Sequence, residues 1–158
     1  MAGTTTSKDT GENSDVIDEI LADHAEIKRL LSEVADGRGS GRAAAFDELA
    51  RIIAMHESAE QAVVHPEMEQ LDDAVAEERL EEESKGDEML ERLRSMSVTD
   101  SKFDALFAKF STAVLRHAEH EEKEEHPKLR AGVDADRLAE MADEFIAAED
   151  EADPTSDK

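Results

Sequence analysis

The chain has 158 residues, the length of one domain with a single hydrophobic core. Its formal net charge of -24 argues against nucleic acid or an anionic membrane as partner, because a phosphate-binding surface needs concentrated lysine and arginine. It has no cysteine, which excludes disulfides, thiolate metal sites and thiol catalysis and leaves histidine and carboxylate as the strong metal ligands.

We expect a cytoplasmic protein. Residues 1–13 are small and polar without the apolar run of a secretory signal, which predicts a disordered tail. No stretch is apolar over the roughly 18 residues that a membrane span needs. Solubility and adaptation to a saline host would each explain the acidic composition.

The first two helices are predicted from the helical spacing of apolar residues and from the glycines and the proline that interrupt it. The first should begin at an N-cap on Ser14 and end near residue 35, before the glycine-rich stretch 37–41. The second should cover about 42–70. Pro66 lies inside it and is expected to kink or interrupt the helix, because proline lacks a backbone donor and clashes with the preceding turn.

Two more long helices and a short one follow. The third should cover 74–96 and be weakened at Gly86, and the fourth should run from a cap at residue 99 or 100 to about 126, before Pro127. Short loops make successive helices antiparallel, which predicts an all-α, up-down-up-down four-helix bundle with a short extra C-terminal helix. The predicted segments are a tail at 1–13, the bundle at 14–130, the accessory helix at 131–149 and an acidic disordered tail at 150–158.

A motif of histidine and glutamate four residues apart occurs twice. His56 and Glu60 form the first copy, His117 and Glu121 the second, and a proline follows each histidine by ten residues. Residues four apart are neighbours on one helix face, so both side chains can reach one centre. All four lie on the apolar, core-facing stripe of their predicted helices.

Two further polar residues fall on core-facing stripes, His24 in the first helix and Glu83 in the third. The number of residues from each interhelical loop, at about 1.5 Å per residue, places His24 at the same height in the bundle as His56, and Glu83 within about one turn of His117. Carboxylates clustered in a core repel one another and are costly without partners, so cations must offset their charge. The sequence therefore predicts a metal site with six candidate ligands: His24, His56, Glu60, Glu83, His117 and Glu121.

The order of these residues over about 15–130 resembles the hemerythrin-like, or HHE cation-binding, domains. The resemblance implies a four-helix bundle holding two iron ions with an oxo or hydroxo bridge. It also implies terminal-ligand roles for the three candidate histidines and bridging roles for Glu60 and Glu121. Manganese or zinc would suit such donors too.

The third helix departs from the family pattern. Glu83 stands where the family usually has a histidine, with Glu82 and Asp87 as competing carboxylates. Additional carboxylate makes a harder site, which stabilises ferric iron and also accepts manganese. Simple oxygen carriage is therefore less favoured, and reduction or sensing of oxygen or peroxide becomes a comparable expectation.

The predicted function is a di-iron protein that binds or reduces oxygen, peroxide or nitric oxide. If it is an enzyme, a peroxide-decomposing (catalase-like) or oxidase-like reaction is favoured over hydrolysis, because no separate nucleophile or general acid is evident. An iron sensor or store without turnover is the main alternative, and a bundle without metal function is a third. The expected partner is a small diatomic or peroxide ligand.

Three more histidines lie near the motifs. His65 and His126 each precede a motif proline and would point about 180° away from the motif histidine on an ideal helix, which predicts an outer-surface or helix-end position unless the prolines turn them inward. His120 is predicted to be solvated or to contact a ligand side chain. Three phenylalanines are predicted to form an apolar wall beside the site: Phe103, Phe107 and Phe110.

Overall fold

The computed structural model describes residues 14–155, and all regular structure within them is helical. Seven α-helices follow one another: α1 (Val16–Asp36), α2 (Gly39–Ala59), α3 (His65–Leu71), α4 (Asp73–Arg94), α5 (Phe103–His120), α6 (His126–Gly132) and α7 (Ala135–Ala152). A π-helical turn, Glu60–Val64, joins α2 to α3, and a second, Glu121–Glu125, joins α5 to α6. The tail predicted at 1–13 lies outside the described residues.

The bundle consists of α1, the continuous helix α2–α3, α4 and the continuous helix α5–α6. Helix α1 packs on α2 and α5, and α4 packs on α5 and α3. The predicted all-α bundle with an extra C-terminal helix is confirmed, and that helix, α7, packs on α1, α2 and the first π turn. No helix among residues 14–155 is long and apolar enough to cross a lipid bilayer.

The start of α1 differs from the prediction by one residue. The N-cap is Asp15, because its side chain accepts a hydrogen bond from the backbone of Asp18 at 3.1 Å while the Asp18 side chain accepts from the backbone of Asp15 at 3.0 Å. This reciprocal capping box satisfies two backbone donors that the helix itself leaves free. The predicted cap, Ser14, instead donates to Glu19.

The prediction that Pro127 ends a helix is wrong, and Pro66 does not interrupt its helix either. Each proline is the second residue after a π turn, and the N–H of the preceding histidine donates to the carbonyl five residues back. The wider turn keeps the proline ring away from the carbonyls that it would meet in an α-helix. One extra residue in the turn also rotates everything after it by about 100°.

The core consists of two apolar clusters separated along the bundle axis. On α1, Ile20 belongs to one cluster and Ile27 to the other, with His24 between them. The three phenylalanines predicted to form a wall beside the site, Phe103, Phe107 and Phe110, are all buried in the Ile27 cluster, and of these Phe110 lines the cavity that contains the histidines. Burial of each such side chain stabilises the fold by about 1.5–3 kcal/mol.

Helix α7 completes the other cluster with Leu138, Met141 and Phe145, all buried. It extends to Ala152, so the predicted start of a disordered tail at residue 150 is wrong. An ion pair of 2.9 Å between Asp153 and Arg51 of α2 fixes the end of the helix. Ile146, the residue after Phe145, is 41% exposed.

Candidate metal centre

A layer of polar side chains lies between the two apolar clusters. The six residues that the sequence predicts as metal ligands all lie in it and are contributed by α1, α2, α4, α5 and the two π turns. Five of them are at most 6% exposed, and His117 is partly exposed. We call this set the polar layer: His24, His56, Glu60, Glu83, His117 and Glu121.

The polar layer forms two overlapping groups of potential metal ligands. His24 and His56 form one group with Glu60 and Glu121, while Glu83 and His117 form the other with the same two glutamates. Within each group, one ligand atom from every residue lies within 4.8 Å of all the others. The two shared glutamates are those for which the resemblance to hemerythrin-like domains implies bridging roles.

Glu121 presents one oxygen to each group. Its Oε1 lies 3.0 Å from Nε2 of His24, and its Oε2 lies 3.0 Å from Nε2 of His117. In the first group, Nε2 of His56 lies 3.2 Å from Oε2 of Glu60. The nitrogen that each histidine turns toward the layer is therefore Nε2.

The other ring nitrogen of each histidine is held by a carboxylate on a neighbouring helix. The Nδ1 atoms lie 2.7–2.8 Å from carboxylate oxygens: Glu122 for His24, Asp23 for His56 and Glu82 for His117. A histidine that donates from Nδ1 to a carboxylate has a fixed ring orientation and a more basic Nε2, which is the usual arrangement of a metal-ligating histidine. All three histidines are oriented to bind at Nε2.

Several buried atoms of the layer have no hydrogen-bond partner of good geometry. They are Nε2 of His56, Nε2 of His117 and both carboxylate oxygens of Glu60. A buried polar atom without a partner costs about 1–3 kcal/mol, and more when it is charged. A cation in each of the two groups would give all of these atoms a partner, so the residues present fit metal ions.

The electrostatics of the two shared glutamates differ. Burial and the negative charge of Glu121 raise the pKa of Glu60 well above its usual value. Burial would also raise the pKa of Glu121, but the neighbouring imidazoles of His117 and His24 outweigh it and hold that pKa well below the usual range. Without a cation the layer must keep protons to limit repulsion, and metal binding would displace them.

Glu83 is the carboxylate of α4 that faces the layer. Its Oε2 lies 3.4 Å from Nε2 of His117, while its Oε1 accepts a hydrogen bond of 2.9 Å from Gln61. The other two candidate carboxylates of α4 contact different groups. Glu82 accepts from Nδ1 of His117, and Asp87 contacts the side chain of Glu57.

Comparison with known proteins agrees with this geometry. The family model of the hemerythrin HHE cation binding domain matches residues 15–129. The chain belongs to this family. No curated protein and no solved structure matches the chain. The matched segment contains the whole polar layer and ends within α6, so α7 lies outside the matched segment.

His126 was predicted to lie on the outer surface or at a helix end of this HHE domain, and that prediction is wrong. It is 5% exposed, and its ring stacks on that of His24 with 6.3 Å between centroids. The π turn before it rotates the side chain by about 100° from its place on an ideal helix and turns it inward. Burial lowers the pKa of His126 to about 4, so the ring is neutral, and its Nε2 has no hydrogen-bond partner.

The other two histidines agree with their predicted positions. His65, also preceded by a π turn, is partly exposed and pairs with Glu69 at 3.2 Å, away from the layer. His120 contacts Glu82, the carboxylate that holds His117. Neither residue belongs to the two overlapping ligand groups.

Sequence reasoning did not predict that three carboxylates hold the Nδ1 atoms of the histidines. Asp23, Glu82 and Glu122 lie off the apolar stripes, where periodicity assigns them to the surface. Each is nevertheless adjacent in sequence to a residue of the layer, which places it about 100° around its helix, toward a neighbouring helix. Adjacency in sequence to a predicted metal ligand is therefore the signal that could have identified these three carboxylates.

An apolar cavity opens onto the layer. The cavity has a volume of about 40 Å³, and Ile27, Ile53, Phe110 and Val114 line it beside the three histidines of the polar layer. Gly86 lies in its wall, and a Cβ added there would meet no atom within 4 Å. The glycine predicted to weaken α4 therefore leaves space beside the HHE site.

Proposed function

We propose that this HHE domain is a non-heme di-iron protein that binds or reduces oxygen, peroxide or nitric oxide at the polar layer. The observation that carries the proposal is Glu121, whose two oxygens each lie 3.0 Å from the Nε2 of a histidine in a different ligand group. A carboxylate so placed suits a bridge between two cations. Glu60, shared by both groups, would be the second bridge, with an oxo or hydroxo group completing it.

The two proposed metal positions have different donors. One would be held by His24 and His56, the other by His117 and Glu83, and both would share the bridging glutamates. The second position has one imidazole fewer and one carboxylate more, which makes it the harder of the two. Iron suits both positions, and the harder second position would also accept manganese.

Bound iron would supply the redox chemistry and an open coordination position. The residues of the chain orient the donors, as the carboxylates at each Nδ1 do, and limit water. Ile27, Ile53 and Phe110 give the cavity an apolar wall, which favours a small uncharged molecule over a large or charged substrate. This supports a diatomic or peroxide ligand.

The test is metal content and a visible spectrum of protein expressed with added iron, followed by an assay of peroxide-dependent oxygen release. We expect two irons per chain with near-ultraviolet bands of a bridged pair. Oxygen release would support a catalase-like activity, whereas a reversible spectral change without release would support carriage, sensing or storage. One ion per chain, or none, would contradict the di-iron proposal.

A further inference from the structure

Helix α7 covers the part of the polar layer that contains His56. The Phe145 side chain is fully buried, and its ring meets that of His56 edge to face, with 5.9 Å between centroids and 70° between planes. Aromatic contacts of this kind favour one ring orientation over others. A residue beyond the family match therefore restricts the plane of a candidate metal ligand.

A second contact from α7 reaches His56 through Asp23. The Asp23 carboxylate accepts from Nδ1 of His56 at 2.8 Å and is also hydrogen-bonded to the Glu149 side chain. A bond between two carboxyl groups needs a proton on one of them. Asp23 already accepts from Nδ1 of His56, so the proton of this bond is assigned to Glu149, whose carboxyl lies within 4.8 Å of both residues.

Asp23, His56 and Glu149 also resemble a third group of metal ligands, because their donor atoms lie within 4.8 Å of one another. Their hydrogen bonds argue against a cation there. Nδ1 of His56 already faces Asp23 as a donor, and Glu149 is already a donor to the same carboxylate. The group is better described as a chain of hydrogen bonds that ends on His56.

The partner histidine in the other motif copy is held differently. Glu82, which accepts from Nδ1 of His117, lies 3.2 Å from the Arg79 guanidinium on the same helix. Asp23 is supported by a neutral carboxyl from α7 instead. Ion pairs near both ends of α7 fix the helix in place: Arg137 with Glu67 at 3.2 Å and Asp153 with Arg51 at 2.9 Å.

We propose that α7 is part of the metal centre: Glu149 positions Asp23, which orients the His56 imidazole so that Nε2 faces the metal, while Phe145 fixes the plane of the ring. The metal in this inference rests on the proposed function. The orientation of His56 does not, since it exists in the metal-free protein.

The first test compares Glu149→Ala and Glu149→Gln with wild type in the rate at which iron-loaded protein releases iron to a chelator. We expect about tenfold faster release for Glu149→Ala, the lower end of the loss seen when a carboxylate behind a metal ligand is removed. Glu149→Gln should release iron as wild type does, because its amide N–H replaces the carboxyl donor. Asp150→Ala, an exposed neighbour on α7, is the control.

Circular dichroism of each variant establishes that the helices remain. Equal acceleration in Glu149→Ala and Glu149→Gln would overturn the positioning role, because the conservative replacement would not have rescued it. Unchanged release in both variants would overturn it as well.

The second test uses metal-free protein and measures how fast the Nδ1 proton of His56 exchanges with water, by nuclear magnetic resonance. Exchange should be slow in wild type and Glu149→Gln and faster in Glu149→Ala. This result in a protein that binds no iron would support the inference while refuting the proposed function. If the protein binds iron and the exchange rate is the same in all three proteins, the proposed function would be supported and the inference about Glu149 would be overturned.

Discussion

Replacing Glu125 with glutamine should stabilise the metal-free protein at neutral pH. The Glu125 side chain is buried, and burial together with the charge of Glu121 raises its pKa from 4.5 to about 8. The folded protein therefore keeps a proton on this carboxyl over a pH range in which the unfolded chain has released it. Between those two pKa values, the free energy of unfolding falls as the pH rises.

The size of the effect follows from that range. From the unfolded pKa of 4.5 to pH 7 is roughly 2.5 pH units, at about 1.4 kcal/mol each. The buried carboxyl thus lowers the free energy of unfolding by about 3 kcal/mol at pH 7 and by under about 1 kcal/mol at pH 5. Glutamine has a similar shape and does not ionise, so Glu125→Gln removes the penalty.

The assay is urea unfolding followed by circular dichroism in the presence of a chelator, at pH 5 and pH 7. No measurement is made below pH 5, because Glu121, with its lowered pKa, stabilises the fold in its ionised form and loses that contribution in acid. Glu81→Gln, which changes an exposed carboxylate of α4, is the control. An equal gain at both pH values, or none at pH 7, would show that Glu125 is ionised in the folded protein.

Four further substitutions, with His65→Ala as a control, test the polar layer and its cavity. His56→Ala and His117→Ala should each lower iron content well below wild type, while His65→Ala, outside the layer, should not; unchanged iron in both ligand variants would refute the assignment. Glu83→His should shift the visible spectrum and slow autoxidation, and an unaltered spectrum would place Glu83 outside the coordination sphere. Gly86→Leu should raise the melting temperature, since glycine costs a helix about 1 kcal/mol, and slow reaction with oxidant at unchanged iron content. An unchanged rate would mean that the cavity is not the route of entry.

The polar layer was predictable because its members occupy positions that the apolar period reserves for the core. Charged residues at such positions require a partner, and metal is the partner that suits histidine and carboxylate together. His24 and Glu83, which belong to no repeated motif, were found by the same argument. The fold followed from helix lengths and short loops.

The prolines show where periodicity failed. A helix of constant pitch puts His126 on the outside, whereas one π turn brings it against His24. Glu125, also in that turn, is buried for the same reason. Sequence patterns assume a fixed angle per residue, so one additional residue in a turn rotates the later side chains by about 100° from their expected direction.

The two motif copies share sequence and local backbone but differ in their surroundings. Both copies combine a histidine, a glutamate at the start of a π turn and a proline. The His56 copy faces α1 and α7, which supply the imidazole of His24 and the carboxyl chain of Asp23 and Glu149. The His117 copy faces α4, which supplies a carboxylate to its Nε2 and another to its Nδ1. An internal repeat has thus been given two different environments by the helices packed on it, and this difference is what would make the two metal positions chemically unequal.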